Sequence, residues 1–414
     1  MEHTLLSNKI TKQLSKQEKK DNGIFFTPKT IIEEMVNDDM KYFNSENIDI
    51  LEPSCGGCDI VDYINNTHTG HCITGVEMNE TIYQNIKDQY ENTEIINDDF
   101  LKHDFKDKKF DYIPGNPPYF LLKNKLEYIE LFPDYILKGK VNIFSLFIYK
   151  SLTLLKECGI VSFVLPINFL TVKTYSGLRK HICDNFKITR LSVIDNTELF
   201  KETKQTTCII SIMKINNADN TDYIINKTDY VLTDNKDLIC EYQKYKTLSE
   251  CEIPVSVGTV VNNYICNDFL GNGKTKTDNS IILLNDFNIK DNNIVINDEH
   301  PRQYITPSKE MTYDTENKSV KKTIDISKKI VKSPFILIER GRGQKKKLFN
   351  AALVNDDKEY LIENHVYILK VPQPIICDVF DRIISDDFVK LYSNFLKTGS
   401  ITKNDILSFP LFLK

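Results

Sequence analysis

The chain has 414 residues, more than one hydrophobic core comfortably holds, so we expect two domains. Hydrophobic residues make up 41% and charged residues 27% of the chain, and the net charge is −5, as in an ordinary globular protein. No apolar run is long enough to cross a bilayer, and the first residues lack the pattern of a secretory signal. We therefore expect no membrane partner and a reducing, cytoplasmic location.

The ten cysteines are too sparse for a disulfide scaffold, and we expect buried free thiols. Cys55 and Cys58 have the C-x-x-C spacing that is typical of zinc or redox sites. No second pair of suitable ligands follows them, so the sequence predicts no metal site.

The predicted elements begin after a polar N-terminal arm, residues 1–22, in which the lysine-rich residues 9–22 predict an exposed helix or arm. From residue 23 onward, short β-branched runs alternate with helical stretches. The predicted strands are Ile48–Leu51, Cys72–Val76, Glu94–Ile96, Phe110–Ile113, Ile160–Leu165, Ile188–Ile194 and Cys208–Met213. The predicted helices are Thr30–Met40, Asp59–Asn65, Glu80–Tyr90, Ile143–Cys158 and Thr174–Asn185. This alternation predicts an α/β fold in residues 23–240: a doubly wound, mostly parallel, seven-stranded sheet that binds ligand at the carboxyl ends of its strands.

Beyond about residue 215 the alternation stops, and polar clusters separate short strand-like runs. We expect residues 241–414 to form a second, irregular α+β domain, with a helical pattern near Ile376–Leu396.

The most specific local pattern is Gly115-Asn116-Pro117-Pro118-Tyr119, directly after a predicted strand. Consecutive prolines exclude both a helix and a central strand, so at the least this is a rigid loop. Its composition also suits chemistry on a conjugated amine such as the N6 amino group of adenine. The side-chain carbonyl of Asn116 and the backbone carbonyl of Pro117 can each accept one N–H, which frees the nitrogen lone pair. Tyr119 offers a face on which an extruded base can stack.

Polar residues also follow three earlier strands, where a methyl donor would bind. Leu51-Glu52-Pro53-Ser54-Cys55-Gly56 forms a glycine-bearing turn that allows close approach to the backbone. Glu77 follows the second strand, where a carboxylate can accept hydrogen bonds from ribose hydroxyls. Asp99 and Phe100 follow the third, where they can contact the amino group and the ring of a donor adenine. Each is also compatible with an ordinary strand end, but together they favour one binding site.

Lysines and arginines cluster in two places despite the negative net charge. Lys123, Lys125, Lys138 and Lys140 follow the proline-rich loop, interleaved with Phe120 and Phe132. Residues 318–347 contain eleven Lys or Arg against two acidic residues, a local charge of +9. Within them, Arg340, Arg342, Lys345, Lys346 and Lys347 form a glycine-loosened basic loop. Both clusters suit contact with DNA phosphates, although a solvated lysine-rich surface has the same composition.

These motifs, in this order, resemble the gamma-class adenine-N6 DNA methyltransferases of restriction-modification systems. The matching segments are Gly23–Pro28, Leu51–Gly56, Gly75–Glu77, Asp98–Leu101 and Gly115–Tyr119. The resemblance implies a Rossmann-like fold that binds S-adenosyl-L-methionine, with double-stranded DNA as substrate and a separately acting cognate restriction endonuclease as a possible partner. It adds Thr27 to the donor site, together with Glu52, Pro53, Ser54, Gly56, Glu77, Asp99, Phe100 and Asn116.

The same resemblance places Phe200, beside Tyr119, in the pocket for the target base, and makes the second domain the one that recognises the DNA sequence. It covers residues 20–215 specifically and the remainder only loosely. One departure is Cys58, where the family usually has glycine; its side chain is expected to narrow the donor site. The oligomeric state does not follow from the sequence.

Three alternatives remain open. An RNA adenine methyltransferase would use the same chemistry on another polymer, and a protein-glutamine methyltransferase uses a similar Asn-Pro-Pro-Tyr loop. A catalytically impaired, DNA-binding relative is the third, because of Cys58.

Overall fold

The computed structural model describes residues 6–7, 10, 27–45, 47–194, 206–216, 218–226, 230–260, 280–298, 300, 303–305, 308–315, 318–325, 327–340, 350–393, 401 and 403–413. Two compact units divide the chain, Met1–Ile239 and Cys240–Lys414. Each unit is described by itself below. Among the described helices, none combines the length and the apolar composition needed to span a membrane.

The first unit is built on a seven-stranded sheet in the order β3-β2-β1-β4-β5-β7-β6. Its strands are β1 (Asp49–Glu52), β2 (Cys72–Val76), β3 (Thr93–Ile96), β4 (Phe110–Gly115), β5 (Leu155–Pro166), β6 (Lys187–Ile194) and β7 (Thr207–Met213). The neighbouring pairs from β3 to β5 are parallel, whereas β7 runs antiparallel to both β5 and β6. The predicted α/β fold with a mostly parallel, seven-stranded sheet is confirmed.

The helices of this unit are α1 (Lys29–Met40), α2 (Asp59–Thr67), α3 (Glu80–Ile86), α4 (Phe144–Thr153) and α5 (Ser176–Asn185). Helix α4 ends earlier than the sequence pattern predicts, because the chain turns at Leu154 and enters β5. Asn79 caps the start of α3, because its side chain accepts a hydrogen bond from the backbone N–H of Ile82 at 3.1 Å.

Both faces of the sheet are covered. Along β5, Phe163 belongs to one apolar cluster and Val164 to the other, as the two-residue period of a strand requires. A strand buried on both sides has a continuous apolar sequence, and Ile160–Leu165 has one, interrupted only by Ser162.

Within residues 9–22, which we expected to be exposed, the structure describes Ile10, and its burial contradicts that expectation. Ser7 and Ile10 are both fully buried. The Ser7 hydroxyl donates a hydrogen bond to the Asp59 carboxylate at 2.7 Å, and Ile10 packs into the apolar cluster of α1 and α2. The lysine-rich composition of the segment hid these two inward-facing positions.

After β7 come β8 (Ile224–Asn226) and β9 (Val231–Leu232), and α6 (Lys236–Gln243) crosses the division between the units. The second unit has two four-stranded sheets, in the orders β11-β22-β19-β20 and β15-β12-β21-β18, and several two-stranded ones. Its strands are β10 (Tyr245–Thr247), β11 (Val255–Val257), β12 (Ile281–Leu284), β13 (Ile289–Lys290), β14 (Asn293–Ile294), β15 (Tyr304–Ile305), β16 (Ser308–Thr315), β17 (Lys318–Asp325), β18 (Val331–Lys332), β19 (Phe335–Glu339), β20 (Ala351–Val354), β21 (Glu359–Ile362), β22 (Val366–Leu369) and β23 (Pro410–Leu413).

The helices of this unit are α7 (Ile376–Ile384), α8 (Asp386–Ser393) and α9 (Lys403–Leu407). The helical pattern predicted near Ile376–Leu396 is confirmed as far as Ser393, and Ser385 divides it into two helices. Ser385 has extended backbone angles, and its hydroxyl accepts a hydrogen bond from the N–H of Phe388 at 3.3 Å. Serine favours this role because its side chain satisfies a free backbone donor at the start of a helix.

Candidate active site

Four neighbouring parallel strands deliver the candidate residues to one edge of the sheet. Glu52 ends β1, Glu77 follows β2, Asp99 follows β3 and Asn116 follows β4. Because the strand order is β3-β2-β1-β4 and all four are parallel, their carboxyl ends lie side by side. The sheet topology alone thus gathers residues that are up to 64 positions apart in sequence.

The turn after β1 is shaped by its glycine. Gly56 has φ +50°, a left-handed conformation that favours glycine, and its backbone N–H donates a hydrogen bond to Glu77 Oε2 at 3.0 Å. The backbone N–H of Cys55 donates to the carbonyl of Val76 at 2.9 Å. These two bonds attach the turn to the end of β2.

The side chain of Glu77 is buried, which disfavours the charged form of its carboxyl group. Its Oε1 accepts a hydrogen bond from the backbone N–H of Asn79 at 2.7 Å, while burial raises the pKa of Glu77 to about 7. Two backbone N–H groups aimed at one carboxylate offset part of that desolvation. Glu77 therefore changes its charge near neutral pH, at the position where the sequence predicts contact with ribose hydroxyls.

Glu52 is a second buried carboxyl at this edge. Burial, with Cys58, Asp59 and Glu77 nearby, raises the pKa of Glu52 well above its ordinary value. Its Oε2 is buried and has no hydrogen-bond partner. A buried polar atom left unpaired costs free energy unless a ligand satisfies it. Glu52 is therefore suited to a cationic or hydrogen-bond-donating group of a ligand.

The proline-rich loop leaves β4 next to the turn after β1. The Ser54 hydroxyl donates a hydrogen bond to the backbone carbonyl of Asn116 at 3.4 Å. A Cβ at Gly115 would lie 3.1 Å from Phe163 and 3.4 Å from Pro53, so glycine allows the loop to lie close to both. The candidate donor site and the candidate catalytic loop are thus adjacent.

Tyr119 holds the other end of this loop. Its hydroxyl lies 2.5 Å from Asn116 Oδ1 and 2.7 Å from the carbonyl oxygen of Val164, both of which can accept its hydrogen. Its ring packs against Phe144 at 6.1 Å in an edge-to-face arrangement. Burial raises the pKa of Tyr119 well above its ordinary value, so the hydroxyl stays protonated at neutral pH.

A cavity of about 380 Å³ opens at this edge of the sheet. Its volume lies within the usual range for small-ligand sites. All nine residues predicted to bind the donor line it: Thr27, Glu52, Pro53, Ser54, Gly56, Glu77, Asp99, Phe100 and Asn116. Pro118 lines it as well, whereas Pro117 and Tyr119 do not.

Comparison with known proteins adds to this geometry. Residues 58–200 match the family model described as Eco57I restriction-modification methylase. Modification methylase CviBIII of Paramecium bursaria Chlorella virus NC1A is 28% identical over 415 residues, which is 99% of each chain. Type II methyltransferase M.CvrRI of Paramecium bursaria Chlorella virus XZ-6E is 25% identical over 97% of each chain. The chain is similar to the methyltransferases of restriction-modification systems.

A third relative matches only about half of this chain. Type II methyltransferase M.HincII of Haemophilus influenzae is 30% identical over 208 residues, which is 49% of this chain and 39% of that protein. The two viral proteins therefore match both units, and M.HincII matches a segment about as long as the first.

Sequence reasoning missed one wall of the cavity. Phe120, Tyr128, Ile143 and Phe147 line it in addition to the predicted residues. Three of them lie at or beyond the end of the proline-rich loop, in the connection between β4 and α4. The spacing of Tyr128, Phe132 and Ile136, four residues apart, was the available signal that this connection has a buried face.

Cys58 does not occupy the cavity, contrary to the expectation that it narrows the donor site. It is fully buried in the cluster formed by α1 and α2, and is absent from the cavity wall. Its φ of +59° is the left-handed conformation for which glycine is favoured. The hydrogen bond with Cys58, together with burial, raises the pKa of the Cys55 thiol, which makes it a poor nucleophile. In the described part of the chain, no three His, Cys, Asp or Glu side chains are placed to hold a metal.

The basic residues predicted to contact DNA differ in their surroundings. Lys123, Lys138 and Lys140 are exposed, whereas Lys125 is half-buried and donates to the backbone carbonyls of Leu137 and Gly139. In the second unit Arg340 is exposed at the end of β19. Arg342, Lys345, Lys346, Lys347 and the base-pocket candidate Phe200 lie outside the described residues.

Proposed function

We propose that the chain is an S-adenosyl-L-methionine-dependent DNA methyltransferase that modifies N6 of an adenine rotated out of a duplex, as gamma-class enzymes do. The observation that carries this proposal is the position of Asn116. It directly follows β4 and lines the cavity that Glu52, Glu77 and Phe100 also line. A candidate acceptor for the target amine therefore shares a cavity with groups that suit a nucleoside ligand.

The residues of the cavity fit S-adenosyl-L-methionine. The Glu77 carboxylate suits the ribose hydroxyls, and Phe100 suits the face of the adenine ring. The unpaired Oε2 of Glu52 suits the ammonium group of the methionine part. When bound, this donor supplies a methyl group on a sulfonium, which is a good leaving group. Thr27, Pro53, Ser54, Gly56 and Asp99 complete the proposed donor site.

Asn116 and Pro117 then act on the target base. Asn116 Oδ1 and the backbone carbonyl of Pro117 each accept one N6–H, so that the nitrogen lone pair leaves conjugation with the ring. The lone pair forms the new N–C bond as the S–C bond breaks, and N6 afterwards loses one proton to solvent. Positioning and acceptor geometry supply the catalysis, so the reaction requires no covalent enzyme intermediate. Tyr119 and Phe200 are the proposed stacking partners of the base.

DNA is the proposed substrate because of the relatives that match along nearly their whole length. Both viral proteins carry methylase or Type II methyltransferase names and cover the second unit of this chain as well as the first. We propose that the second unit, 240–414, recognises the DNA sequence, with Arg340 among its phosphate contacts. A cognate restriction endonuclease acting separately is a natural partner for such an enzyme.

Methyl transfer from radiolabelled S-adenosyl-L-methionine tests this proposal. Purified protein is incubated separately with duplex DNA, structured RNA and protein pools, and the labelled product is identified by mass spectrometry after digestion. We expect the label in N6-methyladenine from duplex DNA. Label in RNA adenine or in glutamine selects one of the two other substrates, and absence of transfer despite DNA binding selects the impaired relative.

A further inference from the structure

The connection between β4 and α4, residues 120–143, is a loop whose two ends pair with each other. We call this loop the excursion. The backbone N–H of Leu122 donates to the carbonyl of Val141, and that of Ile143 donates to the carbonyl of Phe120, both at 2.9 Å. Leu121 and Asn142 form an antiparallel bridge between these two bonds. The excursion thus leaves and re-enters the fold at one neck, one residue after Tyr119.

One face of the excursion is anchored inside the protein. Tyr128, Phe132 and Ile136 are buried in the main apolar cluster of the first unit. Phe132 stacks edge-to-face against Tyr149 of α4 at 6.0 Å, and Tyr128 also lines the cavity. Lys125 donates to two carbonyls across the excursion and closes it from within. These contacts fix its position relative to the catalytic loop.

The opposite face exposes large aliphatic side chains. Leu126 is 76% exposed, Leu121 53%, and Ile129 and Leu131 50% each. Eight large hydrophobic side chains are exposed in the described residues, and these four fall within eleven consecutive positions. Single exposed leucines are ordinary, but a cluster beside a catalytic loop indicates a surface that a partner covers. We call these four residues the apolar knuckle.

Cations flank the apolar knuckle. Lys123, Lys138 and Lys140 lie at the two sides of the neck and are exposed. Nothing in the described part of the chain pairs any of the three with a carboxylate, whereas Glu127 of the same excursion is paired with Lys102 at 3.0 Å. Aliphatic side chains bordered by unpaired cations match a duplex, which offers stacked bases between two rows of phosphates.

We propose that the apolar knuckle contacts the base stack of duplex DNA beside the extruded adenine, and that Lys123, Lys138 and Lys140 contact the flanking phosphates. Removing one base from the stack exposes apolar faces of its neighbours, and Leu and Ile side chains are suited to cover them. This inference rests on the proposed function, because it needs duplex DNA at the catalytic loop. It goes beyond that function in assigning the surface that stabilises the open duplex.

The test replaces the outward side chains and keeps the buried anchor. We compare Leu126→Gln/Ile129→Gln with wild type and with Tyr42→Gln, a matched control at a 51% exposed apolar position just after α1. We expect kcat/KM for duplex DNA to fall at least tenfold in the double variant. Its Kd for S-adenosyl-L-methionine and its melting temperature should stay at wild-type values, and Tyr42→Gln should behave as wild type.

Two further readouts separate the parts of the proposal. A duplex in which the base opposite the target adenine is mismatched has a weaker pair at that position. This substrate should therefore restore most of the double variant's activity. Changing Lys123, Lys138 and Lys140 together to Ala should lower the salt dependence of log Kd for DNA by a slope of about 3, roughly one per phosphate contact.

The proposal is overturned if the double variant methylates DNA as wild type does. It is equally overturned if the substitutions only convert a dimer to a monomer in sedimentation, since the knuckle would then bind a second copy of this chain. Failure of the wild-type protein to methylate DNA at all would instead overturn the proposed function.

Discussion

The Tyr119 hydroxyl lies 2.5 Å from Oδ1 of Asn116, the atom proposed to accept a hydrogen bond from the target amine. A phenol has one hydrogen, and the carbonyl oxygen of Val164 is a second acceptor at 2.7 Å. An amide oxygen has two lone pairs, so Asn116 Oδ1 can accept the Tyr119 hydrogen on one and an N6–H of the target base on the other. Tyr119 thus positions Asn116 before and after the base arrives.

Tyr119→Phe tests this relationship while it preserves the ring face for stacking. We expect kcat to fall about fivefold to tenfold, since one neutral hydrogen bond contributes about 1 kcal/mol. The Kd for S-adenosyl-L-methionine should not change, because Tyr119 does not line the cavity. Single-turnover and binding measurements check the two values, and a wild-type kcat in this variant would show that the hydroxyl has no positioning role.

Donor binding should depend on pH through Glu77. Burial raises the pKa of Glu77 to about 7, and the ionised carboxylate accepts hydrogen bonds from ribose hydroxyls best. The ionised fraction grows as pH rises through 7, so the affinity for S-adenosyl-L-methionine should increase roughly fivefold to tenfold between pH 6 and 7.5. Calorimetry across this range measures it. The Glu77→Gln variant should bind S-adenosyl-L-methionine more weakly, and its affinity should lack this increase with pH. If the affinity of the variant rises with pH as that of wild type does, the assignment of Glu77 is contradicted.

Glu52→Gln should separate stability from donor binding. Burial raises the pKa of Glu52, so its ionisation opposes folding increasingly as pH rises above the pKa of the unfolded chain. We expect the variant to be more stable than wild type by about 1 kcal/mol at pH 8, with a smaller difference at pH 5. Its affinity for S-adenosyl-L-methionine should fall about tenfold. Thermal unfolding and calorimetry check both, and unchanged donor affinity would remove Glu52 from the donor site.

Lys156→Met should lower the stability of the protein and leave the rate of methyl transfer unchanged. At the amino ends of β1 and β4, the Lys156 ammonium lies 2.6 Å from Asp49 and 2.8 Å from Asp111. Lys156 and Asp49 are each 38% exposed, so the network contributes about 0.5–1 kcal/mol. We expect a melting temperature a few degrees lower, with kcat unchanged. A loss of kcat without a loss of stability would show that this edge communicates with the catalytic edge.

Much of the first unit could be predicted because its signals are local. Seven apolar runs gave seven strands, and the rule that ligands lie at carboxyl ends then placed Glu52, Glu77 and Asn116 at one edge. The spacing of Tyr128 and Phe132 signals a buried face in the β4–α4 connection, but not that this face lies beside Phe147 at the cavity, since that depends on how the connection folds back onto α4. Strand directions were equally hidden, because the antiparallel β7 has the same composition as its parallel neighbours.

In the second unit, strands such as β13 and β15 have two residues each, too few for any periodicity to register. Their pairing is set by contacts distant in sequence. The break at Ser385 was also missed, because the apolar spacing continues across it from α7 to α8. The position of Cys58 needed the structure as well, since a side chain at a ligand turn can point toward the ligand or away from it.

Asn116→Ala provides the most direct test of the proposed chemistry. The measurement is the single-turnover rate of methyl transfer to duplex DNA, alongside the Kd for S-adenosyl-L-methionine. Removal of one preorganised group that stabilises a transition state costs on the order of 100-fold to 1,000-fold in rate. We predict a loss of that size with a Kd within threefold of wild type, whereas transfer at the wild-type rate by this variant would contradict the role given to Asn116.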